Sequence, residues 1–144
     1  MPTLTLDQAN RILSTALAKA REAGYKPMGV AVLDDGGNLK AFAREDGASM
    51  FRFDIARAKA WAAVGMGSSS RALFERTQTL PVFMTSLAAI ADGKFAAQTG
   101  AVLIKDASGA ILGAVGASGG TGDEDEAACV YGIEQAGFVA DAKE

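Results

Sequence analysis

The chain has 144 residues, of which 49% are hydrophobic and 22% charged, the profile of one folded domain rather than of a disordered segment. It contains no histidine and one cysteine, which excludes Ser-His-Asp triads, imidazole bases, His-ligated zinc or haem, and any internal disulfide. A net charge of −3 argues against a nucleic-acid partner, and no apolar run reaches the roughly 18 residues of a membrane helix.

The first residues, Met1-Pro2-Thr3-Leu4, lack the basic-then-apolar layout of a secretory leader, so a cytoplasmic protein is expected. Thr5 and Gln8 have the spacing of a capping box. Ala9, Ile12, Leu13, Ala16, Leu17 and Ala20 then recur at helical intervals up to a stop at Gly24. Two β-branched runs, 28–33 and 39–44, flank an Asp/Gly/Asn cluster and predict a β-hairpin. Ser49 is the expected cap of a second helix with Phe51, Ile55, Ala58 and Ala62 as its stripe, ended by 65–67. The serines 68–70 open a shorter helix through Glu75. Pro81 is read as a break before another short helix over 85–91.

The last third repeats the hairpin, with strands 100–105 and 110–116 around the turn 106–109. A glycine loop, Ser118-Gly119-Gly120-Thr121-Gly122, leads into a final helix whose acidic start, 123–126, suits the positive end of the helix dipole. Two hairpins cannot bury both faces alone. One antiparallel sheet covered by helices, a single α/β domain over 1–144, is therefore expected.

Three stretches of the first half, 32–39, Arg44-Glu45-Asp46-Gly47-Ala48 and Ala58-Lys59-Ala60, resemble the GlcG/HbpS-like family, also labelled haem-degrading. So does the glycine-rich strand and loop 111–120, and Asp125 and Gly132 fall where that family tends to have its helix Asp and Gly. The resemblance implies a profilin-like fold, a five-stranded antiparallel sheet flanked by helices, assembled as a homo-oligomer. It also implies links to glycolate utilisation, haem binding and the C-terminal part of corrinoid adenosyltransferases. The chain departs from the pattern at Gln98-Thr99-Gly100-Ala101-Val102, which replaces a Gly-Gly-Val-Pro segment, and in having no histidine for haem.

Arg44 ends a strand where a guanidinium can grip a carboxylate, with Asp46 orienting it or acting as a base and Gly47 allowing close approach. The alternative is a local Arg44–Asp46 ion pair around a turn. Ser118, Gly119, Gly120 and Thr121 form either a ligand-binding loop or a tight connection with Thr121 as helix cap. Their acidic neighbours disfavour phosphate. The run 123–126 reads as a solvated helix start, with Asp125 kept as a ligand-binding candidate through the resemblance. Lys59 is an acid/base or Schiff-base candidate if buried, although helical lysines, like Arg52 and Arg57, usually face water. Phe51, Phe53 and Trp61 read as core or subunit contact, and Cys129 as a buried inert thiol.

The expectation is a small-molecule-binding protein or cofactor-independent lyase or isomerase. Its ligand would be a small acidic or carbonyl compound held between Arg44–Ala48 and Ser118–Thr121, with Arg44, Asp46 and Lys59 catalytic and no metal. The alternatives are a tetrapyrrole-binding module without histidine ligation and a structural assembly protein.

Overall fold

The computed structural model describes residues 3–143, so Met1 and Pro2 of the expected leaderless N-terminus lie outside the described residues. Helix α1 (Leu6–Glu22) starts at the expected capping box: the Thr5 hydroxyl accepts from the Gln8 amide and the Gln8 side chain accepts from the Thr5 amide. Strands β1 (Gly29–Asp34) and β2 (Leu39–Arg44) make the first hairpin, and β3 (Ala101–Lys105) and β4 (Ile111–Ser118) the second. In each turn one aspartate, Asp34 or Asp106, accepts backbone amides of its own loop.

The hairpins join through β1 and β4, giving one antiparallel sheet in the order β2-β1-β4-β3-β5, with β5 (Val139–Asp141) at the far edge. This short last strand has no hydrophobic alternation to announce it. Its place is fixed from outside, by the Lys105–Asp141 ion pair at 2.6 Å and by the Ser69 hydroxyl donating to the Asp141 carbonyl.

Alternation along the strands divides the core. Val30, Val32, Val102, Ile104 and Val115 face α1 and α5 (Gly122–Gln135), meeting Ile12, Leu13, Ala128 and Ile133. Leu33, Ala101, Leu103 and Ala114 face α2 (Phe51–Met66) on the other side. There α2 lies unusually close: a Cβ on Gly116 would stand 2.2 Å from the Ala56 carbonyl oxygen, so only glycine permits the approach.

Three local expectations change. The α2 stripe is not Phe51, Ile55, Ala58 and Ala62, because α2 is buried on two sides. Ala56, Ala60 and Ala63 meet the sheet or its edge, Ala62 packs on Leu73, Met84 and Phe95, and Phe51 is exposed. Ser49 caps from one residue further upstream, its hydroxyl accepting the Phe51 amide at 3.1 Å. Pro81 begins helix α4 (Pro81–Ile90) rather than breaking the chain, since the first helical position needs no amide donor. Between α2 and α4 runs α3 (Ser70–Arg76), near its expected place.

Candidate functional site

A cleft of about 600 Å³ opens at the end of the sheet where β4 runs into α5. Its wall on α2 is Arg52, Ile55 and Lys59, which share one helix face by their i, i+3, i+7 spacing. Opposite stand Ser118, Gly120 and Thr121, then Gly122, Asp123 and Asp125 of α5. Arg71 and Phe74 of α3 and the Gln98-Thr99 segment close the sides.

The floor is ionic. Lys59 is 5% exposed and Asp125 2%, and their charged groups meet at 3.1 Å. Lys59 Nζ also donates to the Ala117 carbonyl at 3.0 Å, while the other Asp125 oxygen accepts the Gly120 amide at 2.9 Å. Burial holds the Asp125 carboxyl above the usual aspartate range, opposed by Lys59, by the Gly120 amide and by Arg52. Asp125 faces inward because it heads the buried stripe of α5, followed by Ala128, Cys129, Gly132 and Ile133. That stripe was readable in the sequence. The burial of Lys59 was not, since its partners lie 58 and 66 residues away.

The four acidic residues of the α5 start do not behave as one solvated run. Glu124 completes a capping box with Thr121, Asp123 and Glu126 both bind Arg71, and Asp125 turns to Lys59. Arg52 differs from the other two cations. Its guanidinium donates to the Ser118 hydroxyl at 2.7 Å, and no carboxylate lies within 4.0 Å of it among the described residues. Sequence reasoning missed Arg52 by treating it as a surface cation, although its seven-residue spacing from Lys59 marks a shared face.

Of the other expected site residues, Ser118, Gly120 and Thr121 line the cleft, whereas Gly119 backs onto Pro27 and Met28 and lines a smaller depression with Tyr25 and Lys26. Arg44 and Ser118 flank Gly29 in one row of the sheet, but the Arg52 side chain leaves α2 directly over Gly29 and stands between them. Arg44 and Asp46 line a separate depression with Leu17, Arg21, Ala43 and Glu45. Arg44 donates to the Ala48 carbonyl and makes no ion pair with Asp46, and Gly47, with φ +84°, lies in the 45–48 turn closed by the Ala48 amide on the Glu45 carbonyl. Within one chain the structure therefore brings together Lys59, Asp125 and the loop, and leaves Arg44, Asp46 and Gly47 outside.

Haem iron takes its axial ligand from histidine, cysteine, tyrosine or methionine. The chain has no histidine, and among the described residues the cleft lining includes none of the other three. Cys129 is fully buried behind the cleft, where burial pushes its thiol far up. The residues present do not fit an axially ligated haem in this cleft.

Comparison with known proteins agrees with the fold. PduOC, solved as a haem complex, superposes with a TM-score of 0.86 over 97% of this chain and 99% of its own, at 21% identity. HbpS gives 0.82 over 94% and 91% at 28% identity, and a double mutant of Streptomyces reticuli HbpS gives 0.82 over 94% and 88% at 29%. Klebsiella pneumoniae protein ORFY gives 0.81 over 94% and 92% at 25%. No curated protein matches the chain at a significant level. The family model described as "Haem degrading protein HbpS-like" matches residues 4–134, from before α1 to the last turn of α5 and so all but the last strand, and the chain belongs to that family.

Proposed function

We propose that the chain binds a small organic acid, or an acid that also carries a carbonyl, in the cleft between α2 and the β4–α5 loop. The observation that carries this reading is Arg52, a cleft cation with no carboxylate within 4.0 Å among the described residues, while Lys59 and Arg71 are each in direct ion pairs. A ligand carboxylate accepts from its free guanidinium donors, and the Ser118 hydroxyl fixes the fork. Ile55 and Phe74 supply apolar wall, so the ligand is a short organic acid rather than an inorganic anion. Arg44 and Asp46 have no role in this cleft within one chain.

The test is calorimetric titration with a panel of small carboxylates and 2-oxo acids. Removing one charged hydrogen-bond partner costs about 1.5–3 kcal/mol, so Arg52→Gln weakens binding by roughly tenfold or more. A panel in which no carboxylate binds, or in which Arg52→Gln binds as well as the natural chain, ends this reading.

The family description favours a second reading, in which haem is held by apolar contact and by its propionates on Arg52, with no iron ligand from the cleft. A haem titration separates the two, since a defined Soret shift supports the tetrapyrrole and its absence removes it. Self-association belongs to either reading. Its support here is α4, which exposes Val82, Phe83 and Ile90 to solvent.

A further inference from the structure

The heads of Arg52 and Lys59 are tethered to consecutive residues of β4, one to the Ser118 hydroxyl at 2.7 Å and the other to the Ala117 carbonyl at 3.0 Å. Both residues line the same cleft, so a ligand carboxylate on Arg52 shares that cleft with the Lys59 amine. A buried lysine–carboxylate pair is a poor stability device, because apolar side chains of equal volume serve as well or better. One that opens on a cleft instead offers a nucleophile with its own proton carrier. Lys59 spends two N–H donors on Asp125 and Ala117, and its remaining donor has no partner among the described residues. Space at Nζ is kept by Gly100, whose φ is +132° and whose absent Cβ would stand 2.7 Å from the nitrogen.

We infer that the cleft takes a short 2-oxo acid and that Lys59 captures its keto carbon as a reversible imine, with Asp125 carrying the protons. The inference rests on the carboxylate reading of the cleft given above. The Lys59 ammonium first passes a proton to Asp125, whose carboxyl is already held above the usual range by burial. The free amine forms the N–C bond, and the carbonyl π pair moves to oxygen, which receives a proton from the nitrogen. Asp125 returns its proton to the carbinolamine hydroxyl, which leaves as water while the nitrogen lone pair closes the C=N bond. An ammonium and a ketone have then become an iminium and one water, with no oxidant or reductant required. Gly120 holds the Asp125 carboxylate through its amide during both transfers.

The experiment is borohydride trapping on the full chain with pyruvate as the probe, followed by peptide mapping, alongside calorimetric binding of pyruvate without reductant. The expected result is one 1-carboxyethyl adduct on Lys59, suppressed by lactate, which offers the carboxylate without the ketone. It is lost in Lys59→Arg, which keeps the ion pair to Asp125 and so the fold. Pyruvate that binds through Arg52 but leaves no adduct on Lys59 overturns the imine and leaves the carboxylate site standing. An adduct spread over the surface lysines also overturns it. If other carboxylates bind and pyruvate does not, the 2-oxo acid is wrong, and if nothing on the panel binds, both readings fall.

Discussion

Lys59 and Asp125 carry opposite charges where water barely reaches, and neither is tolerable there without the other. Lys59→Met strands a buried carboxylate and is expected to cost about 3–5 kcal/mol in urea unfolding. Combining it with Asp125→Asn, which keeps an acceptor for the Gly120 amide, recovers most of that loss, and the coupling is read from the double-mutant cycle. The pH dependence follows from the raised Asp125 carboxyl. Between the ordinary aspartate value and the higher folded value, the native state binds more protons than the unfolded chain, so stability falls as pH rises. The difference in unfolding free energy between the natural chain and Asp125→Asn therefore declines as pH climbs from about 4 through that window, then levels off. A difference that stays flat across it contradicts the raised carboxyl.

Among the elements, the contact of α2 with β4 is the tightest constraint on the site, because it sets how far Arg52 and Lys59 stand from Ser118 and Ala117. Gly116→Ala pushes a methyl onto the Ala56 carbonyl and is expected to cost about 3 kcal/mol, at the upper end of overpacking. A lowered denaturation midpoint with unchanged m-value is the check. Local chemistry made α1, both hairpins and the α5 start legible in the sequence, since the Thr5–Gln8 box and the Asp34 and Asp106 turns are satisfied within a few residues. What depended on distant partners was not legible. The alanines of α2 give no single stripe when both sides are covered, β5 is held by Ser69 and Lys105 from elsewhere in the chain, and Lys59 has the spacing of an ordinary surface lysine. At the site, the Ser118–Thr121 loop and Asp125 were readable, and Arg52 emerged only when α2 was docked.

At the scale of the whole molecule, the sheet is covered on one face by α1 and α5 and on the other by α2, with α3 and α4 outside α2. No helix among the described residues is long and apolar enough to cross a membrane. Helix α4 is the layer left without a cover: Met84 is its one buried residue, while Val82 and Ile90 are 79% and 81% exposed. Sedimentation velocity is expected to find an oligomer that Val82→Glu combined with Ile90→Glu reduces to a monomer. Sedimentation of the natural chain as a monomer removes self-association from the proposal.

The seclusion of Cys129 has a practical consequence. The chain has one sulfhydryl, lodged with its sulfur 3.6 Å from the Gly100 carbonyl on the inner side of the Lys59–Asp125 floor. A disulfide reagent added to the intact protein reaches it only during those moments when α5 lifts from the sheet, so the rate of colour release counts such excursions. Any compound that fastens the floor from outside slows that clock, and the molecule thus carries its own occupancy gauge without a dye, a tag or a known reaction.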